Sequence, residues 1–212
     1  DDYLAEVVNV EKVKAGEERL DRPTPLSWSD SALLGYFHYA RAGKSNPDLQ
    51  RIVEDLIIEA ADSELLRTKE SGYRYSLKFS DFAWASNKEG LARGITMILA
   101  HQLRPNPEYL EAALAQLDFV LGLNPLSKCF VAQLGTNTVR NPHHRLVASR
   151  RKPLPGLVVG GPNNNSESLV EPANQGPFSY ADAQNSYSSN ETAIDYNAAF
   201  ILAVSAFAGT QQ

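Results

Sequence analysis

The chain has 212 residues, of which 43% are hydrophobic, and it carries a formal net charge of -5 with a sequence pI near 5.4. A chain of this length can bury a substantial core, and one large domain is favoured. Its 20 lysines and arginines are scattered, which argues against nucleic acid or a membrane surface as a partner. No apolar run reaches the roughly 20 residues that span a bilayer. The single Cys129 excludes an internal disulfide.

Helical periodicity dominates from Ser27 to Phe207, whereas the alternation typical of strands is nearly absent. Asparagine followed by proline suits the start of a helix. The predicted helices run from Ser27 or Ser29 to Gly43, from Ser45-Asn46-Pro47 through Ala60, from about Asn87 to Leu103, from Asn106-Pro107 through Val120, and from about Glu191 to Phe207. The sequence therefore predicts an all-α domain over 27–212, preceded by an N-terminal segment, 1–26, without assigned structure.

The segment 128–190 is different, because it is rich in proline, glycine, asparagine and serine. A loop of this length inside a compact domain is either disordered or functional. The richest groupings of histidine, arginine, acidic residues and tyrosine in the chain lie in this segment or at its end. We therefore predict a long, ordered and functional loop.

The first grouping in the loop is Asn141-Pro142-His143-His144-Arg145. Two imidazoles and a guanidinium beside a proline do not fit one buried face, so this segment is predicted to project into a polar cleft and to donate hydrogen bonds there. The alternative is a solvated turn with one histidine packed against the core. A metal site has little support, since no third ligand has a diagnostic spacing.

The second grouping contains two carboxylates, Asp182 and Glu191, with Tyr180 and Tyr187 interleaved. Glu191 is predicted to open the last helix, where the helix dipole presents its positive end. Glycoside hydrolysis needs one carboxylic acid that protonates the departing oxygen and a second carboxylate that acts on the nucleophile. Aromatic rings suit the apolar faces of sugars. The alternative is that Glu191 only caps the helix.

Both groupings resemble signatures of glycoside hydrolase family 9, the cellulase and endoglucanase family. The first signature is matched by Gly135-Thr136-Asn137 followed by Pro142-His143-His144-Arg145, and the second by Tyr180, Asp182, Tyr187, Glu191, Ala193, Asn197 and Ala198. Further similarity includes Asp81-Phe82-Ala83-Trp84-Ala85-Ser86-Asn87, Leu121-Gly122-Leu123-Asn124-Pro125 and Gly160-Gly161-Pro162-Asn163. The resemblance covers roughly 27–207.

The resemblance implies a role for each matched side chain. Glu191 would be the general acid, and Asp182 would bond neighbouring basic groups and hold the cleft. The substrate-binding group would consist of His143, His144, Arg145, Trp84, Tyr187 and Tyr196. Trp84 would be a stacking platform, with a packed core aromatic as the alternative. Ala85 replaces a common glycine and Lys88-Glu89 replace a common Arg-Tyr pair, at positions expected to line the cleft.

The family implies the second half of an (α/α)6 barrel. Its catalytic base belongs to an Asp-Ala-Gly-Asp type segment that this sequence lacks, so the base is expected in a missing N-terminal half. The expected substrate is a β-linked glucan oligosaccharide or polysaccharide. An exo-acting β-glucosaminidase and a non-catalytic carbohydrate-binding fragment remain alternatives. No cofactor is required, structural calcium is an option in the complete protein, and the compartment implied is secreted or periplasmic.

Overall fold

A computed structural model describes residues 8–43 and 45–208 of the chain. Over these residues the helices are α1 (Val10–Ala15), α2 (Ala32–Arg41), α3 (Pro47–Glu70), α4 (Ser86–Leu103), α5 (Pro107–Leu121), α6 (Arg145–Arg150), α7 (Tyr187–Asn190) and α8 (Ile194–Phe207), with short 3-10 turns at Phe79–Asp81 and Gly176–Phe178. Extended segments in the described part meet at isolated bridges, and none of its helices combines the length and apolarity needed to cross a membrane. The all-α prediction is confirmed.

Two of the predicted helix starts are present as expected. The side chain of Asn46 accepts hydrogen bonds from the Asp48 and Leu49 amides at 3.0 and 3.1 Å, and Pro47 occupies the first turn of α3. Asn106 caps α5 in the same way through the Glu108 amide at 3.0 Å. An asparagine acceptor and a proline that needs no partner satisfy the first turn of a helix.

The other helix starts differ from the sequence prediction. Helix α2 follows Ser31 rather than Ser27 or Ser29, because the Ser27 hydroxyl accepts from the Asp30 amide at 3.0 Å and closes a local turn. Helix α8 begins at Ile194, so the prediction that Glu191 opens it is wrong. Glu191 has extended backbone, with φ -61° and ψ 146°. The predicted placement of Glu191 at the positive end of the helix dipole is therefore wrong as well.

Helix α4 lies at the centre of the fold and packs against α2, α3, α5 and α8. One apolar cluster joins its Leu91 to Phe119, Phe130 and Tyr180, and a second joins its Ile95 and following residues to α2, α3 and α5. The ring of Tyr75 comes so close to Gly90 that a β-carbon there would lie 2.0 Å from the tyrosine oxygen. Glycine at this position lets the ring cover the start of α4.

The segment 128–190 is folded against the first of these clusters. Phe130, Val131, Val139 and Val158 are buried, and isolated bridges pair Cys129 with Thr138 and Val131 with Val158. Cys129 is a buried free thiol, as expected for a small apolar side chain. The prediction of an ordered loop is confirmed, and the loop supplies the backbone against which Glu191 lies.

Candidate active site

The backbone of Glu191 is held between two extended segments. On one side His143 pairs with Glu191, and the His143 amide donates to the Asn190 carbonyl at 2.8 Å. On the other side the Gly160 amide donates to the Glu191 carbonyl at 3.0 Å, and Val159 pairs with Thr192. The two sequence groupings, far apart in the chain, therefore meet through main-chain hydrogen bonds.

Gly161 allows this close approach. The Gly161 amide donates to the Ser189 carbonyl at 2.9 Å, and a β-carbon on Gly161 would lie 2.4 Å from the side-chain carbon of Asn87. Its φ of 93° also favours glycine. Asn87, at the start of α4, donates from its side chain to the Val159 carbonyl at 2.9 Å. The Gly160-Gly161 motif thus joins α4 to the segment that carries Glu191.

Asp182 is a structural acceptor for the loop that leads to His143. Its carboxylate accepts from the backbone amides of Arg140 and Asn141, with shortest distances of 3.0 and 2.8 Å. It also forms an ion pair with Lys128 at 3.1 Å. Three donors from two segments converge on one carboxylate, so Asp182 fixes residues 140–142 relative to 182–184.

His143 is exposed and has a defined tautomer. Its Nδ1 lies 2.7 Å from the Gln184 carbonyl; a carbonyl only accepts, so Nδ1 carries the proton. The other ring nitrogen, Nε2, is left for an external partner. The ring meets Tyr187 edge to face, with centroids 6.0 Å apart. In this tautomer Nε2 can accept a hydrogen bond from a hydroxyl group.

The aromatic series continues from Tyr187 to Trp84, whose ring centroids are 5.9 Å apart. Both rings are 38% exposed, so Trp84 is neither a fully packed core residue nor a free surface one. It borders a cavity of about 450 Å³ lined by Ser27, Trp28, Ser29, Trp84, Ala85, Lys88, Glu89, Ala193, Asp195 and Tyr196. An open, aromatic-walled cavity of this size suits a sugar ring.

Tyr196 forms the buried wall of this cavity. Burial, reinforced by the negative charges of Asp195 and Glu191, raises the pKa of Tyr196 to about 12, although a hydrogen bond with Trp84 acts in the opposite sense. The phenol therefore stays neutral at any physiological pH and keeps its proton as a donor. Ala193, two residues after Glu191, also lines this cavity.

Two of the predicted binding residues lie apart from the others. The Nδ1 atom of His144 accepts from the Leu146 amide at 3.2 Å and so caps α6. His144 borders a different cavity, of about 400 Å³, together with Ile194 and Ile201. Arg145 is the first residue of α6 and is exposed. The structure brings His143 into the aromatic series, but it gives His144 a capping contact.

Trp28 and Asp195 line the cavity and were not predicted to do so. Trp28 is 86% exposed and lines the cavity together with Trp84, and Asp195 lines it from the first turn of α8. Lys88 and Glu89, which stand in place of the common Arg-Tyr pair, also line this cavity. Lys88 is buried, and its ammonium group bonds the Leu26 carbonyl at 3.3 Å and Glu89 at 2.5 Å. A tryptophan between two serines was the available signal for Trp28.

Glycoside hydrolysis needs two carboxyl groups, and Glu191 lies two residues before Ala193 in the wall of an aromatic-walled cavity on an all-α scaffold. The family profile of glycosyl hydrolase family 9 matches residues 1–204, a range that includes the segment before residue 27. The chain belongs to this family. Over the described residues, no group of three or more His, Cys, Asp or Glu comes together as a metal site.

Known proteins give the same picture. A solved metagenome-derived family 9 endoglucanase is 44% identical with a TM-score of 0.86, over 92% of this chain and 36% of that one. A xyloglucan-specific endo-beta-1,4-glucanase of Bacteroides ovatus is 30% identical over 94% of this chain. Endoglucanase D of Acetivibrio thermocellus is 33% identical over 86%. The chain spans 35% and 28% of the lengths of these two relatives. The similarity confirms that the fold is part of an (α/α)6 barrel.

Proposed function

We propose that the complete protein is an inverting glycoside hydrolase acting on β-1,4-linked glucan, with Glu191 as its general acid. The observation that carries this proposal is the position of Glu191: its backbone pairs with His143, and Ala193, two residues further along the chain, lines the aromatic-walled cavity. The Bacteroides ovatus and Acetivibrio thermocellus relatives are both endoglucanases, and the first is specific for xyloglucan. Their named activities support glucan as the substrate class.

In the proposed reaction the Glu191 carboxyl group donates its proton to the glycosidic oxygen as the bond to the anomeric carbon breaks. Water attacks from the opposite face of the sugar, activated by a carboxylate about 6.5 to 9.5 Å from the acid. We propose that this base is an aspartate in the N-terminal part of the protein. The reaction needs no cofactor, because proton transfer and water attack involve only these carboxyl groups. We assign no residues of this chain to calcium.

The other site residues receive roles that follow from their contacts. Trp84 and Tyr187 offer their exposed ring faces to a glucosyl unit, and Nε2 of His143 bonds a hydroxyl group. Asp182 positions the loop that ends at His143, through its bonds to the Arg140 and Asn141 amides, and does not touch the substrate. Arg145 and His144 receive no contact with the sugar bound in this cavity, because neither residue lines it.

The N-terminal part of the barrel is the proposed partner of α8. This helix leaves Ile194 and Ile201 exposed at 91% and 63%, and apolar side chains aligned on one face of a helix indicate a surface that another element covers. This chain spans 35% of the length of the Bacteroides ovatus relative, so the remaining length is sufficient to form an element that covers α8. A secreted or periplasmic location fits a polymeric substrate.

The test is hydrolysis of cello-oligosaccharides by the complete protein and by its Glu191→Gln variant. Loss of the proton donor should lower kcat by about 10² to 10⁴-fold, while the affinity for oligosaccharide stays close to that of the wild type. The 212-residue chain alone should be inactive. Unchanged hydrolysis by Glu191→Gln would refute the assignment, and affinity without hydrolysis in the wild type would favour a binding protein. Release of single glucosamine units from chitosan oligosaccharides would favour a β-glucosaminidase.

A further inference from the structure

Glu171 is a buried carboxylate in the loop that precedes α7. Its side chain belongs to a residue only 6% exposed, and no lysine, arginine or histidine within residues 8–43 and 45–208 forms an ion pair with it. An isolated buried charge is costly unless hydrogen bonds replace the lost water. The contacts of this carboxylate therefore indicate what it is for.

Serine hydroxyls surround the Glu171 carboxylate. Ser186 and Ser188 each donate to Oε1 at 2.5 Å. The Ser166 hydroxyl lies 2.8 Å from the backbone carbonyl oxygen of Glu171 and 3.1 Å from Oε2, and the Ser168 hydroxyl contacts both carboxylate oxygens. Burial alone would raise the pKa of Glu171, but the hydrogen bonds from Ser168, Ser186 and Ser188 outweigh it and lower the pKa to about 2. Glu171 is thus an anion throughout the range in which a glycosidase works.

The four hydroxyls come from two different places in the fold. Ser166 and Ser168 belong to the same loop as Glu171, whereas Ser186 precedes α7 and Ser188 lies within it. The Ser186 hydroxyl also lies 2.5 Å from the hydroxyl of Ser189. The carboxylate is therefore the point at which the loop is fastened to α7.

Helix α7 leads directly into the candidate acid. The Glu191 amide donates to the Tyr187 carbonyl at 2.9 Å, which closes the single turn of α7 onto Glu191. Tyr187, on the same turn, donates from its hydroxyl to the Glu167 carbonyl at 2.8 Å and presents its ring to Trp84. A four-residue helix has no stability of its own in water. Its orientation depends on contacts such as those to Glu171.

We propose that Glu171 is a positioning residue for the reaction: its carboxylate, through Ser186 and Ser188, fixes α7 and thereby the direction in which Glu191 and Tyr187 face the cleft. This inference rests on the proposed function, because it assigns to Glu171 the alignment of a general acid. Glu171 does not touch the substrate. Its effect is transmitted through one helical turn to the residue that follows it.

The test uses the complete protein with Glu171→Gln. The glutamine amide is similar in shape, but its NH2 group is a donor that would face hydroxyl donors, so the hydroxyls of Ser186 and Ser188 lose acceptors. The diagnostic readout is the dependence on the leaving group. A misaligned acid slows substrates whose departing oxygen needs a proton, and it hardly affects substrates whose leaving group departs as an anion.

We expect Glu171→Gln to lower kcat on an unactivated cello-oligosaccharide by about tenfold or more, since small displacements of a catalytic group have effects of this size. On a 2,4-dinitrophenyl cello-oligosaccharide the loss should stay below about threefold. Any change in KM should be similar on the two substrates, because a displaced Tyr187 ring affects the binding of both sugars alike. Equal losses on both substrates would show a structural role only and would overturn the proposal.

The chain offers a matched pair of serine variants as the control. Ser188→Ala removes a bond from α7 to Glu171, whereas Ser166→Ala removes a bond to the same carboxylate from its own loop. Ser188→Ala should shift the ratio of the two rates in the direction of Glu171→Gln, and Ser166→Ala should leave the ratio at the wild-type value. Identical ratios for the two serine variants would contradict the proposal. If Glu191→Gln retains full activity, the proposed function fails, and this outcome is separate from a failure at Glu171.

Discussion

Helices α4 and α8 are both apolar and pack against each other, yet their environments differ. In α4, 13 of the 18 residues are buried. In α8, which has an even more apolar sequence, only Tyr196 and Ala203 of its 14 residues are buried. An apolar helix in a finished domain normally hides its apolar face. The difference agrees with the proposal that the N-terminal part of the barrel covers α8, whereas α4 is already buried within this chain.

The strongest way to test this comparison is to remove equivalent volume from each helix in the complete protein. Leu91→Ala in α4 creates a cavity between buried side chains and should lower the free energy of unfolding by about 2 to 5 kcal/mol. Leu91 has no exposed surface in this chain, so the same loss is expected with or without the N-terminal part. Urea unfolding of both forms would measure it.

The matched variant is Ile201→Ala in α8. In the isolated chain Ile201 is exposed, and its truncation should change stability by less than about 0.5 kcal/mol. In the complete protein the same substitution should cost about 2 kcal/mol or more, because the side chain is then covered. A negligible effect in both forms would mean that nothing covers this face of α8.

Lowering the pH is a second way to compare α4 with the region of α8, because the segment before α8 depends on the ionised carboxylate of Glu171. The pKa of Glu171 is lowered from 4.5 to about 2 in the folded protein. A carboxyl group whose pKa is lower in the folded than in the unfolded protein stabilises the fold above pH 4.5. This contribution is lost as the pH falls toward about 2. The shift corresponds to roughly 3 kcal/mol. In urea unfolding, the stability difference between wild type and Glu171→Gln should narrow over this interval, and a constant difference would contradict the assignment.

The smallest expected effect is at the entry to α4. Ala85 has a φ of 68°, a left-handed conformation that a β-carbon disfavours by about 1 to 2 kcal/mol. Ala85→Gly should therefore raise stability by up to about 1 kcal/mol. Ala92→Gly, in the interior of the same helix, should lower it by about 1 kcal/mol. Opposite signs for two identical substitutions in a thermal melt would confirm the strain, and equal signs would exclude it.

The parts of the fold that were predictable from sequence are those decided locally. The starts of α3 and α5 follow from Asn46-Pro47 and Asn106-Pro107, because capping and proline preference act within one turn. The start of α8 was mispredicted, since Asn190-Glu191-Thr192 looks like a cap followed by an apolar run. The conformation of Glu191 is instead set by pairing with His143 and Gly160, which are distant from it in the sequence.

The prediction of the site from sequence was limited in the same way. Glu191, His143 and Tyr187 were predicted from signature spacing, and Trp84 and Tyr196 from the wider resemblance to the family. The structure pairs His143 with Glu191, brings the His143, Tyr187 and Trp84 rings into a series, and places Trp84 and Tyr196 on one cavity. The capping contact of His144, the role of Trp28 in the cavity wall and the serines around Glu171 were not predictable. A serine carries no periodicity, and a carboxylate among serines is recognised only when its donors are placed in space.

The two-sided main-chain pairing of Glu191 has a consequence for how this protein can be altered. The acid is attached to loop backbone on both flanks and is separated from the first residue of α8 by Thr192 and Ala193. The exposed outer surface of α8, at Ile194 and Ile201, can therefore be redesigned without changing the main-chain bonds of Glu191. Such a redesign must keep Asp195 and Tyr196, because these residues of the same helix line the cavity.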